Sequence, residues 1–187
     1  MFTGIVQAVG KIVRLAPLEI DCGGLDLAGV AVGDSICVQG VCLTVTALTR
    51  SGFTADVSAE TRSVTAGLDR AGGSVNLEKS LALGAPLGGH LVTGHVDGVG
   101  EVLSFADGVL RIRVPREIAR FVARKGSICV DGVSLTVNGV DGDVFDAMLI
   151  PHTLSVTTLK RLAPESRVNL EVDLVARYVE RLLSAQR

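Results

Sequence analysis

The stretch SICVQGVCLTV, Ser35 to Val45, returns 92 residues later as SICVDGVSLTV, Ser127 to Val137, with nine of eleven positions identical. The repeat extends well beyond this pair. TGIV at Thr3–Val6 returns as TGHV at Thr93–Val96, ETRSVT at Glu60–Thr65 as HTLSVT at His152–Thr157, and VNLE at Val75–Glu78 as VNLE at Val168–Glu171. The offset drifts only from 90 to 93 residues. Such a chain is a duplication. Two tandem units of small-domain size follow, 1–86 and 87–172, with a tail, 173–187, that has no counterpart in the first half. The join falls in LALGAPLGGH, Leu81–His90, where Gly and Pro interrupt any regular element.

Each unit reads as all-β. Gly23-Gly24, Gly33-Asp34, Gln39-Gly40, Ser51-Gly52 and Gly72-Gly73 mark turns at strand-length spacing in the first, and Asp107-Gly108, Asp131-Gly132 and Asp141-Gly142 do so in the second. With 48% apolar residues, one Tyr, five Phe and no Trp, the core must be filled by Val, Leu and Ile. A single open sheet of this composition would expose an edge and an apolar face, so a small closed antiparallel barrel is expected in each unit.

The two-residue turns Gln39-Gly40 and Asp131-Gly132 predict hairpins. Beyond the first turn Val41, Leu43 and Val45 share the face that enters the core, and Cys42 and Thr44 share the other. In the second copy Ser134 and Thr136 occupy that outer face. Cys37 falls opposite Cys42, but the other copy pairs Cys129 with Ser134, which argues against a disulfide.

Composition excludes several classes. The formal charge is −2, without a basic patch, and aromatic residues are 3%, so a nucleic-acid-binding barrel lacks both its groove charge and its stacking platforms. No apolar run reaches the length of a membrane span. The amino terminus lacks a signal-peptide pattern, and the four cysteines form no Cys-x-x-Cys pair; the cytoplasm is the expected compartment. His90, His95 and His152 form no metal motif, and no metal site is expected. In the tail, Val175, Tyr178, Val179, Leu182 and Leu183 recur at helical spacing, with Arg177, Glu180 and Arg181 opposite and Asp173 placed to cap the start. That stripe is either packed on the helix's own barrel or left over for assembly.

Five segments in order, MFTGIV, GVCLTV, GGHLVTGHVDG, KGSICVDGVSLTV and LIPHTLSVTTL, resemble the α-type riboflavin synthases, and the resemblance covers the whole chain. It implies an all-β fold of two tandem six-stranded Greek-key barrels with a C-terminal α-helix that holds a homotrimer together. It implies a transferase that reacts two molecules of 6,7-dimethyl-8-ribityllumazine with each other, without a cofactor or metal, in a site between the N-barrel of one subunit and the C-barrel of its neighbour. Lumazine synthase is a candidate partner enzyme.

Carried over by motif, the first pocket takes Gly4, Ile5 and Val6, then Cys42, Leu43 and Thr44, then Asp56, Val57, Ser58, Ala59, Glu60 and Thr61. The second takes His95, Lys125, Ser134, Leu135 and Thr136, then Ile150, Pro151, His152, Thr153, Leu154 and Ser155. Cys42, His95, Ser134, Thr136 and Asp173 are the candidates for chemistry. The copies differ where two identical reactants need unlike roles: Ile5 against His95, Cys42 against Ser134, Glu60 against His152, Ser80 against Asp173. Non-catalytic lumazine- and flavin-binding antenna proteins share this fold and form the alternative; Cys42, the second-copy residues and the helix stripe favour the enzyme.

Overall fold

A computed structural model describes residues 1–185; Gln186 and Arg187, the end of the tail, lie outside the described residues. The first barrel is built from β1 (Ala8–Leu15), β2 (Leu18–Asp21), β3 (Ser35–Val38), β4 (Val41–Leu48), β5 (Gly52–Ala55) and β6 (Ser74–Lys79), closed in the order β1-β2-β5-β4-β3-β6. The second repeats it with β7 (Gly98–Ala106), β8 (Val109–Arg113), β9 (Ser127–Val130), β10 (Val133–Asp141), β11 (Val144–Met148) and β12 (Arg167–Val172). Its cyclic order, β10-β11-β8-β7-β12-β9, is the same Greek key shifted by six strands.

Local sequence accounts for the hairpins and their curvature. Gln39 and Gly40 both take positive φ (53° and 86°), as do Asp131 and Gly132 (50° and 81°), the geometry that matches a tight turn to the twist of its strands. Each barrel also has shifted registers at equivalent points, between Val45 and Ala47 on β4 and between Val137 and Gly139 on β10. Bulges of this kind bend a strand and let six strands close.

Val41, Leu43 and Val45 are buried in the first core with Ile12, Ile20 and Phe53; Val133, Leu135 and Val137 are buried in the second with Ile112 and Phe145. Cys37 does lie opposite Cys42, and all four cysteines are free thiols.

A polar seam docks the barrels. Asn76 on β6 donates its side-chain amide to the Asp131 carbonyl at 2.8 Å, and Asn169 on β12 donates to the Gln39 carbonyl at 2.8 Å. Each strand thus satisfies the hairpin turn of the other barrel, and the turns touch where Gly40 meets Gly132: a Cβ on Gly40 would lie 2.9 Å from the Gly132 nitrogen. Beside it Phe2, Val92, Cys37 and Cys129 form a small apolar cluster.

Between β5 and β6 runs a short helix α1 (Ala59–Val64), capped by Ser58, whose Oγ accepts from the Thr61 amide at 3.0 Å. A second short helix, α2 (Arg116–Ala119), follows β8. Helix α3 (Pro151–Val156) repeats α1 in the second barrel and begins with Pro151 at its first turn. The tail forms α4 (Leu174–Ser184), with the Asp173 carboxylate accepting from the Val175 amide at 2.9 Å. No helix among the described residues is long and apolar enough to cross a membrane.

Candidate functional site

The chain segments before β1 and before β7 do not stay with their own barrels. They pair with each other through an antiparallel bridge, Phe2 donating to Val92 at 2.7 Å and Val92 donating back at 3.0 Å. From there each crosses the seam. The Gly94 carbonyl accepts from the Cys42 amide at 2.8 Å, and the Gly4 carbonyl accepts from the Ser134 amide at 2.8 Å.

This crossing corrects the grouping by sequence. His95, assigned there to the Ser134 pocket, stands beside Cys42; Gly4, Ile5 and Val6, assigned to the Cys42 pocket, stand beside Ser134. Val6 accordingly packs on the second core and Val96 on the first. Alignment of the repeats pairs residues that are alike, whereas the chain's path decides which are adjacent.

The result around Cys42 is a cleft of about 220 Å³ that draws on both copies, lined by Val41, Cys42, Glu60, Thr61, Val64 and Thr65 from the first and Gly94, His95 and Val96 from the second. Cys42 is half-buried and His95 exposed. Cys22, Cys37 and Cys129 are buried in apolar surroundings that push their thiols up, Cys22 to about 11, so Cys42 is the accessible thiol. Thr44 is exposed one step along the same strand face, and Asp56, Val57, Ser58 and Ala59 lead into the cleft through the capped start of α1.

Ser134 is held differently. Its Oγ lies 2.7 Å from His90 Nδ1, and the linker covers it so closely that a Cβ on Gly89 would come within 3.0 Å of that oxygen. His90 is 8% exposed, and its Nε2 has no hydrogen-bond partner among the described residues. Burial lowers the His90 pKa from its usual 6.5, with the nearby Asp173 carboxylate pulling the other way, so its environment favours the neutral imidazole. His90 has no equivalent in the first copy, so comparison of the repeats does not mark it; only its closeness to the repeated TGHV segment points to it.

The remaining residues fall into place around these two points. Thr136 is exposed beyond Ser134, and Asp173 caps α4. Ile150, Pro151, His152 and Ser155 are exposed at the start of α3, with Thr153 and Leu154 half-buried; they answer Glu60 and Thr61 in the other copy. Leu43 and Leu135 point into the cores, so they have only backbone to offer a ligand. Lys125 is exposed at a positive φ of 67°, its amide donating to the Val137 carbonyl at 2.8 Å, at the far end of the Ser134–Thr136 strand. A cleft of about 620 Å³ between the barrels, with Arg70, Arg161 and Arg167 on its walls, contains none of the predicted site residues.

The family profile described as "Lumazine binding domain" matches this chain twice, over residues 3–80 and 93–173. A riboflavin synthase of Mycobacterium bovis is 48% identical over 198 residues, covering 98% of each chain. A riboflavin synthase of Photobacterium phosphoreum is 45% identical over 194 residues, covering 98% of this chain and 89% of its own. Among solved structures, LumP complexed with riboflavin superposes with a TM-score of 0.80 at 28% identity, covering 92% of this chain and 99% of that one. LumP complexed with 6,7-dimethyl-8-(1'-D-ribityl) lumazine gives the same TM-score at 24% identity, a likeness of fold.

Proposed function

Since the chain belongs to the riboflavin synthase family and carries the lumazine binding domain twice, we propose that it converts two molecules of 6,7-dimethyl-8-ribityllumazine into riboflavin and 5-amino-6-ribitylamino-uracil. It is an enzyme of the transferase class: one lumazine gives a four-carbon unit to the other, and the two products together contain the atoms of the two substrates.

The observation that carries this reading is the pair of unlike side-chain settings at matching points of two like barrels. One offers a half-buried thiol beside an exposed imidazole, the other a hydroxyl held by a buried imidazole. Identical reactants that must act as donor and acceptor need that inequality. The 7-methyl group of the lumazine is acidic because its anion delocalises into the ring, so no extreme base is required. Holding two rings in register supplies most of the rate, since effective molarities of about 10⁵–10⁸ M are available to well-oriented partners. Cys42, His95, Ser134, Thr136 and Asp173, with His90 on Ser134, then move protons and steady charged intermediates. Backbone groups along β4 and β10 suit the pyrimidinedione edge, and Thr, Asp and Glu side chains suit the ribityl hydroxyls.

The assembly belongs to the same reading. At about 220 Å³ the Cys42 cleft is smaller than the roughly 300–1,000 Å³ usual for a small-molecule site, so a lumazine there needs a second wall. Helix α4 supplies the means. Its polar side ties to its own barrel, Arg177 to Asp97 at 2.9 Å and Glu180 to Arg120 at 3.1 Å, while Val175, Tyr178, Leu182 and Leu183 are each more than 60% exposed. An amphipathic helix laid polar side down presents its apolar stripe to another copy, which supports a homotrimer with the first-barrel pocket of one chain facing the second-barrel pocket of the next. Units 1–86 and 87–172, the tail from 173, a cytoplasmic setting and association with lumazine synthase complete the proposal.

Incubation with the lumazine, followed by riboflavin absorbance and fluorescence, tests it. Riboflavin formed in stoichiometric balance with the uracil supports the enzyme. Saturable binding without product would mark an antenna-type binder instead.

A further inference from the structure

We propose that the buried carboxylates Glu78 and Glu171 are positioning residues, each setting the geometry of the pocket on the opposite barrel. Glu171, on β12, is 2% exposed and Glu78, on β6, is 3% exposed; neither is ion-paired within the described residues. A carboxylate stripped of water must be compensated by donors. Glu171 takes four: Oε1 accepts from the Thr93 amide at 2.6 Å and the Thr93 hydroxyl at 2.7 Å, and Oε2 from the Gly94 amide at 2.8 Å and the His95 amide at 3.1 Å. Glu78 takes three: the Thr3 amide and hydroxyl, both at 2.7 Å, and the Gly4 amide at 2.9 Å.

Each carboxylate thereby folds a Thr-Gly segment into one shape, with the glycine at positive φ, 74° for Gly4 and 78° for Gly94. That shape aims the glycine carbonyl across the seam, Gly94 at the Cys42 amide and Gly4 at the Ser134 amide. The fit has no slack. A Cβ on Gly94 would lie 2.6 Å from Cys42 Cβ, and one on Gly4 would lie 2.7 Å from Ser134 Cβ. Glu171 therefore governs Cys42 and, through the fourth bond, His95. Glu78 governs Ser134 and Ile5, whose amide turns to the Thr3 hydroxyl instead.

The assignment runs against proximity in the fold. Cys37 pairs with Glu78 on one side and with Cys42 on the other, so Glu78 sits in Cys42's own barrel, one strand removed. A carboxylate that merely stabilised its barrel would make Glu78 the residue to which Cys42 responds. The tether makes it Glu171.

The meaning of these positions rests on the proposed function, but the test does not need substrate. Cys42 alkylation by iodoacetamide, followed by mass spectrometry of the full chain, reports the setting of that thiol, and a Cys42→Ser control identifies its signal. Glu171→Gln keeps the size of the side chain but turns an amide NH₂ toward donors. We expect Glu171→Gln to change the Cys42 rate by about tenfold or more and Glu78→Gln to change it less than about twofold, while both lower kcat on the order of 10–10²-fold. If Glu171→Gln does not fold, Thr93→Val against Thr3→Val, each losing one hydroxyl donor, reads the same order on a smaller scale. Equal thiol responses, no response, or a larger response to Glu78→Gln would overturn the tether. A parent that makes no riboflavin would overturn the function and leave the thiol rates to decide the tether.

Discussion

Cys42 shows how much a single position in a duplicated chain carries. It is the one cysteine with solvent access, and it faces a histidine contributed by the other repeat. Cys42→Ser keeps a small polar side chain, and its second-copy counterpart is already Ser134. Binding of the lumazine should therefore change less than about threefold while single-turnover formation of riboflavin slows by about 10²-fold. Equilibrium fluorescence titration alongside rapid-quench kinetics separates the two, and equal kinetics in mutant and parent would remove the thiol from the chemistry. Such residues were legible from the sequence because the repeats differ at them. His90 was not, because difference can be read only where a counterpart exists and the first copy offers none. Glu78 and Glu171 were invisible for the opposite reason: they are identical in both copies, inside a VNLE that reads as plain strand.

At the scale of elements, the hairpins, the bulged strands and the capped tail helix follow from local pattern, and the sequence reading anticipated both barrels. The crossing of the segments before β1 and β7 did not follow, since nothing in TGIV or TGHV says which barrel each will lie against. The docking of one barrel on the other rests on the seam. Asn169 donates to the carbonyls of Gln39 and Ala66 and accepts from the Ala66 amide at 2.7 Å. Asn169→Ala leaves those buried groups without partners and should cost about 2–4 kcal/mol in chemical denaturation, with an exposed-surface change such as Lys160→Ala as the reference near zero. A loss below about 1 kcal/mol would mean that the apolar cluster, not the amide network, docks the barrels. Helix α4 permits a second check. Removal of residues from Val175 onward should yield monomers by sedimentation with little turnover, because the apolar stripe then has nothing to join; a truncated monomer at full rate would contradict this.

Where the two barrels meet, the seam encloses a third buried acid besides Glu78 and Glu171. Asp131 is 2% exposed; burial raises its pKa from 3.8 to about 7, against the opposing pull of the Asn169 amide and the Gln39 side chain. The folded state therefore holds a proton that the unfolded chain releases near pH 4. Stability contributed by this group is full below that pH and is lost as pH rises toward about 7. Asp131→Asn cannot ionise, so between pH 4 and 7 the parent should lose stability relative to the variant, measured by urea unfolding at matched protein concentration. A difference that stays constant across that window would show that Asp131 ionises as freely when folded as when unfolded.

In the proposed assembly, one chemical event uses the first-barrel pocket of one chain and the second-barrel pocket of its neighbour. Co-expression of Cys42→Ala with Ser134→Ala tests it, because each variant alone spoils one wall of every site, while mixed assemblies pair an intact Cys42 with an intact Ser134. The mixture should make riboflavin well above the level of either variant alone. Mixed assemblies as inactive as their parents would contradict it.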